Sequence, residues 1–100
     1  MGVAATNASY DLPDEEAVLD VLRAFGVRRA QLFGSAARRE LTPESDIDLL
    51  VEMADAVDYG VIFRLTEALE EAAGRPFDVL TSIKAPLRPF IEPELVELPL

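Results

Sequence analysis

Asp46 and Asp48 stand two residues apart at the start of a predicted strand, Asp46–Glu52, with Ile47, Leu49 and Val51 on its opposite face. A strand repeats every two residues, so the two carboxylates share a face. Like charges held that close repel, and one stays protonated unless a cation sits between them. Asp78 repeats the arrangement between Phe77 and Val79, in a predicted strand running to Thr81. If that strand lies beside the first, Asp78 joins the pair. Neither strand carries an arginine or lysine to neutralise the three acids. Convergent carboxylates of this kind call for a divalent metal, and oxygen donors select a hard ion, magnesium or manganese.

Upstream of the acids, Gly34-Ser35 ends a predicted strand, Val27–Phe33. Glycine permits a tight exit and lets a ligand approach the backbone closely. Ser35 is expected to N-cap a short helix reaching Leu41, whose free amides would hold an anion such as a phosphate. Arg38, three residues into that helix, would add a charge-assisted contact from the same side. Capping alone explains a Gly-Ser pair before a helix; the aspartates downstream favour a ligand. Three carboxylates and a phosphate cradle fit two-metal phosphoryl transfer, which divides attacking oxygen and leaving pyrophosphate between two ions. In this reading Asp46 and Asp48 bridge the ions, and Asp78 faces the acceptor hydroxyl and takes its proton.

The elements that must position these groups follow from periodicity. Residues 1–10 show none and read as a flexible N-terminal tail. Asp11 to Glu16 reads as a helix start, with a proline and acids in its first turn. Val18, Val21, Leu22 and Phe25 then form one apolar stripe, which Gly26 ends. Thr42-Pro43-Glu44-Ser45 is a turn cluster leading to Asp46. A second helix is expected from about Asp58 to Ala73, with Ile62, Leu65, Leu69 and Ala72 along one side and Gly74 as its stop. Beyond Lys84, prolines 86, 89, 93 and 99 leave room only for short turns and a brief edge strand at Val96-Glu97-Leu98. Residues 11–100 therefore read as one α/β (α+β) domain, a small mixed β-sheet with helices packed on it.

Composition removes whole classes of chemistry. The 100 residues contain no cysteine and no histidine. That excludes disulfides, thiolate nucleophiles, Cys-based zinc sites and a Ser-His-Asp triad. Nineteen acidic against nine basic residues give a net charge of −10. Nucleic-acid surfaces need a basic stripe, so direct nucleic-acid binding is not expected; a basic protein partner is. Arg28, Arg29, Arg38 and Arg39 cluster around the Gly-Ser turn, as a solvated patch or as part of the site. No run approaches the roughly twenty apolar residues of a membrane helix, and the N-terminus lacks a signal-peptide pattern. The expected location is cytoplasmic, with no membrane contact.

The run Gly34-Ser35-x-Ala37-Arg38, then Ser45-Asp46-x-Asp48, then Asp78 in a later strand resembles the minimal nucleotidyltransferase family of the DNA polymerase beta-like superfamily. The resemblance spans about Val27 to Leu100. It implies the antitoxin half of a bacterial toxin–antitoxin pair, whose partner in a hetero-complex is an all-helical HEPN-type ribonuclease. Such antitoxins move AMP from ATP to a tyrosine of the toxin. Carried over by position, Gly34, Ser35 and Arg38 hold nucleotide, and Asp46, Asp48 and Asp78 hold metal and act in catalysis. One position departs: the family usually has glycine after the arginine, where this chain has Arg39. If that residue takes positive φ, arginine there costs about 1 kcal/mol. Aminoglycoside-modifying relatives share the motifs but generally carry an extra domain for the acceptor, for which 100 residues leave no room. The alternative from another class is a catalytically silent antitoxin that works by binding alone, a reading against which the clustered acids argue.

Overall fold

Strict alternation sets the centre of the sheet. In the computed structural model, which describes residues 10–56 and 58–100, β2 (Ile47–Met53) buries Ile47, Leu49 and Val51 and turns Asp48, Leu50 and Glu52 the other way. β1 (Val27–Phe33) pairs antiparallel with β2, placing Phe33 opposite Asp48. β3 (Phe77–Leu80) pairs with β2 in parallel, placing Asp78 opposite Asp48. Parallel pairing needs a crossover, which α3 (Tyr59–Ala73) supplies. The sheet order is β3-β2-β1-β4, with the two-residue β4 (Val96–Glu97) antiparallel on the β1 edge. This is the small mixed sheet expected from the sequence.

One face of the sheet is covered by α1 (Glu15–Ala24) and α3. Val18, Leu22, Leu65 and Leu69 are fully buried against Ala30, Leu32 and Leu49. Val21, Phe25 and Ala72 flank them partly buried, and Leu19, outside the expected stripe, joins the core. Asp58 caps α3 by accepting from the Val61 N–H at 2.9 Å, and Gly74 closes it in the left-handed conformation. α1 begins at Glu15 because Asp14 adopts a left-handed φ of 53°, which interrupts the helical run before it. Of the expected tail only Tyr10 lies within the described residues. It is buried in the core, and its hydroxyl donates to Glu15.

The other face is only partly covered. There the chain returns as a one-turn 3-10 helix (Ala85–Leu87), α4 (Arg88–Ile91) and a second one-turn 3-10 helix (Glu92–Glu94) before β4. Among the described residues, no helix is long and apolar enough to cross a membrane.

Candidate active site

The short α2 (Gly34–Ala37) turns the chain out of β1 beside Asp48. Gly34 holds φ +71°, and a β-carbon there would collide with Asp48 Oδ2. Both facts require glycine: one for the turn, the other for the close approach of the carboxylate. Phe33, extended at φ −144° and ψ 179°, takes the N-cap position. Ser35 therefore lies inside the first turn and gives no capping bond, contrary to expectation. The helix also stops at Ala37 rather than Leu41. The Arg39 N–H donates to the Ala36 carbonyl at 3.3 Å and the Glu40 N–H to the Ser35 carbonyl at 2.8 Å. With Arg39 at φ 59°, this is a Schellman closure whose left-handed position favours glycine. The departure from the family pattern thus falls on a residue in the strained region.

Arg38 consequently sits at the helix C-cap, not within the helix. Its Nε donates to Glu40 at 2.9 Å, and its Nη1 donates to both oxygens of Glu94 at 3.0 and 2.9 Å. Glu94 Oε1 also accepts from the Gly34 N–H at 3.2 Å. Elsewhere in the arginine cluster, Arg28 faces Glu52 at 3.8 Å and Arg29 faces Glu97 at 2.9 Å.

Asp48 lies half-buried at the centre of the site. Burial pushes its pKa above the usual carboxylate range, and the charges of Asp78, Asp46 and Glu94 push the same way against a smaller opposing pull from Arg38. Asp46 falls just before β2, whose first residue is Ile47, and both Asp46 and Asp78 are exposed. Among the described residues no three acids already converge as a metal cage. The donor set nonetheless fits a hard divalent ion. It is all oxygen, and Asp48 carries a burden of negative neighbours that a cation relieves.

Two supporting groups carry no sequence motif. Arg75 Nη1 donates to the carbonyls of Thr42 and Ser45 at 3.0 and 3.1 Å, pinning the loop that leads to Asp46. Glu70 accepts from the Phe77 N–H at 3.0 Å and fixes the start of the strand bearing Asp78. On the same face, a cavity of about 480 Å³ is lined by Gln31, Leu50, Thr81, Arg88 and Glu92, among others. Gln31 and Leu50 face each other one same-face step along the strands from Phe33 and Asp48.

Residues 16–94 match the sequence profile of the family described as polymerase beta, nucleotidyltransferase. The chain belongs to this nucleotidyltransferase family. A protein of Methanocaldococcus jannaschii provisionally named a protein adenylyltransferase is 44% identical over 64 residues, 64% of this chain and 69% of the relative. Another from that organism, with the same provisional name, is 37% identical over 75 residues, 72% of this chain and 76% of the relative. Among solved structures, one provisionally described as a minimal nucleotidyltransferase superposes with a TM-score of 0.71 at 34% identity, covering 86% of this chain and 88% of the other. A toxin–antitoxin structure with AMP-PNP gives 0.64 at 27% identity, over 73% of this chain and 62% of the other. The complex of a tri-AMPylated Shewanella oneidensis HEPN toxin with its MNT antitoxin gives 0.62 at 23% identity, over 84% and 67%, a likeness of fold.

Proposed function

We propose that this nucleotidyltransferase-family chain moves AMP from ATP to a tyrosine hydroxyl of a HEPN-type ribonuclease toxin, and so acts as that toxin's antitoxin. The observation that carries the reading is the pairing of Asp48 with Asp78 across β2 and β3, beside the Gly34 turn and Arg38. A relative provisionally named for protein adenylylation and a fold neighbour seated on an AMPylated toxin support the acceptor class.

In this reading Gly34, Ser35 and Arg38 hold the triphosphate, using backbone amides and a guanidinium that match phosphoryl oxygens. Asp46, Asp48 and Asp78 would hold two magnesium ions, which supply Lewis-acid stabilisation of the phosphoryl charge when bound. The tyrosine oxygen forms its bond to the α-phosphorus as the bond from that phosphorus to the bridging oxygen breaks. Pyrophosphate leaves with that electron pair. Asp78, exposed on the open face, receives the hydroxyl proton. A bound cation would favour the ionised form of Asp48 against the burial and acidic neighbours that raise its pKa.

The test is intact-mass spectrometry of a co-expressed neighbouring HEPN-type protein after incubation with this chain, ATP and magnesium. The expected result is a gain of AMP units that disappears with Asp48→Asn. A stable, silencing complex with no mass gain would replace transfer with neutralisation by binding alone.

A further inference from the structure

The carboxylate of Glu94 sits where the proposed triphosphate would. It accepts from the Gly34 N–H at 3.2 Å and takes both of its Arg38 contacts through Nη1, at 3.0 and 2.9 Å. A backbone amide and a guanidinium around anionic oxygens is the chemistry that recognises a phosphoryl group, and here the chain supplies the anion itself. We infer that Glu94 is an internal competitor for the phosphate seat, and that nucleotide enters by displacing it together with the strap that carries it. The inference rests on the reading of Gly34 and Arg38 as phosphate-binding groups.

The strap is built to move. Ile83 at one end and Leu98 at the other are buried, while no residue between them is. Two of its apolar side chains already face solvent, Phe90 at 74% and Leu87 at 50% exposure, while Ile91 and Leu95 are only part-covered, so lifting the segment before β4 uncovers limited further apolar surface. From Ala85 to Glu94 it consists of single helical turns interrupted by prolines, with few local bonds to lose on opening, and it hinges on β4, which stays paired with β1. What ties it to the turn is the pair of contacts made by Glu94. Swapping that carboxylate for phosphate oxygens replaces one set of charge-assisted bonds by another, and the cost of releasing Glu94 appears as weakened nucleotide affinity.

The test is calorimetric titration of the full chain with a non-hydrolysable ATP analogue and magnesium, and separately with adenosine. Glu94→Gln keeps the size and removes the charge; it is expected to bind the triphosphate about tenfold more tightly and adenosine unchanged. Glu94→Ala should shift affinity the same way. Unchanged or weaker triphosphate binding in both substituted proteins would overturn the inference. So would an equal gain from Glu92→Gln, since a neighbouring charge on the same strap would then act only at long range. Arg38→Ala separates the two levels. If it weakens analogue binding while Glu94→Gln does nothing, only the competitor fails. If it leaves binding unchanged, the phosphate assignment fails and the competitor with it.

Discussion

The two faces of β2 are drawn from alternate residues of one strand and obey opposite rules. On the helix side, Ile47, Leu49 and Val51 are buried among aliphatic side chains from α1, α3 and β1. On the open side, Asp48 is half-buried among Asp46, Asp78 and Glu94, whose charges all oppose its own. The first face is where burial stabilises the fold. The second gives stability away, because a carboxylate with a raised pKa disfavours the folded state once ionised. Strain lies close by as well: Gly34 abuts Asp48, and the short helix it opens closes on the left-handed Arg39. A region that concentrates repulsion and strain while its reverse side is packed conventionally has the signature of a site.

Substitutions on the two faces should therefore fail in different ways. Asp48→Asn is expected to reduce AMP transfer to a HEPN-type partner about a thousandfold while leaving the chain folded, read by transfer rates beside circular dichroism. Leu49→Ala, one residue away on the packed face, should lose about 2–5 kcal/mol in urea unfolding. Leu50→Ala, on the open face, should lose only about 1 kcal/mol. Equal losses at 49 and 50 would erase the contrast. Gly34→Ala belongs to both categories: strain and collision with Asp48 should cost about 1–3 kcal/mol and also depress transfer. The smallest effect is a gain. Arg39→Gly relieves the left-handed strain but adds chain entropy to the unfolded state, for a net stabilisation of about 0.5 kcal/mol by thermal unfolding.

What could be read from sequence follows the range of the interactions involved. Strand periodicity is local, so the bounds of β1 and the alternation that sets Asp48 and Asp78 apart from their apolar neighbours were legible from the chain alone, whereas their meeting on one face depended on the long-range β2–β3 pairing that the structure supplies. The apolar stripes of α1 and α3 were legible for the same reason, down to Val18, Leu22, Leu65 and Leu69. Capping at Gly34-Ser35 was misplaced, because an extended Phe33 takes the N-cap position that composition suggests for serine. The short reach of α2 was hidden too: nothing in the types Arg38-Arg39 announces a Schellman closure normally made by glycine, and only the family pattern flagged the position. Glu94 was not legible at all. It meets Gly34 and Arg38 from a distant proline-interrupted segment, and a lone acid there forms no pattern.

The most direct test of a cation site on the open face is thermal unfolding of wild type and Asp48→Asn, in chelator and then in magnesium with ATP. Because the folded-state pKa of Asp48 is raised, its ionised form destabilises the fold above that pKa, and the penalty disappears as pH falls through it. In chelator at neutral pH, Asp48→Asn should melt above wild type, with the advantage shrinking on acidification. Magnesium and ATP should then reverse the order, lifting the wild-type Tm well above that of Asp48→Asn. If Asp48→Asn melts at or below wild type in chelator and both proteins respond equally to magnesium and ATP, the open face holds no cation through Asp48, and the account is contradicted.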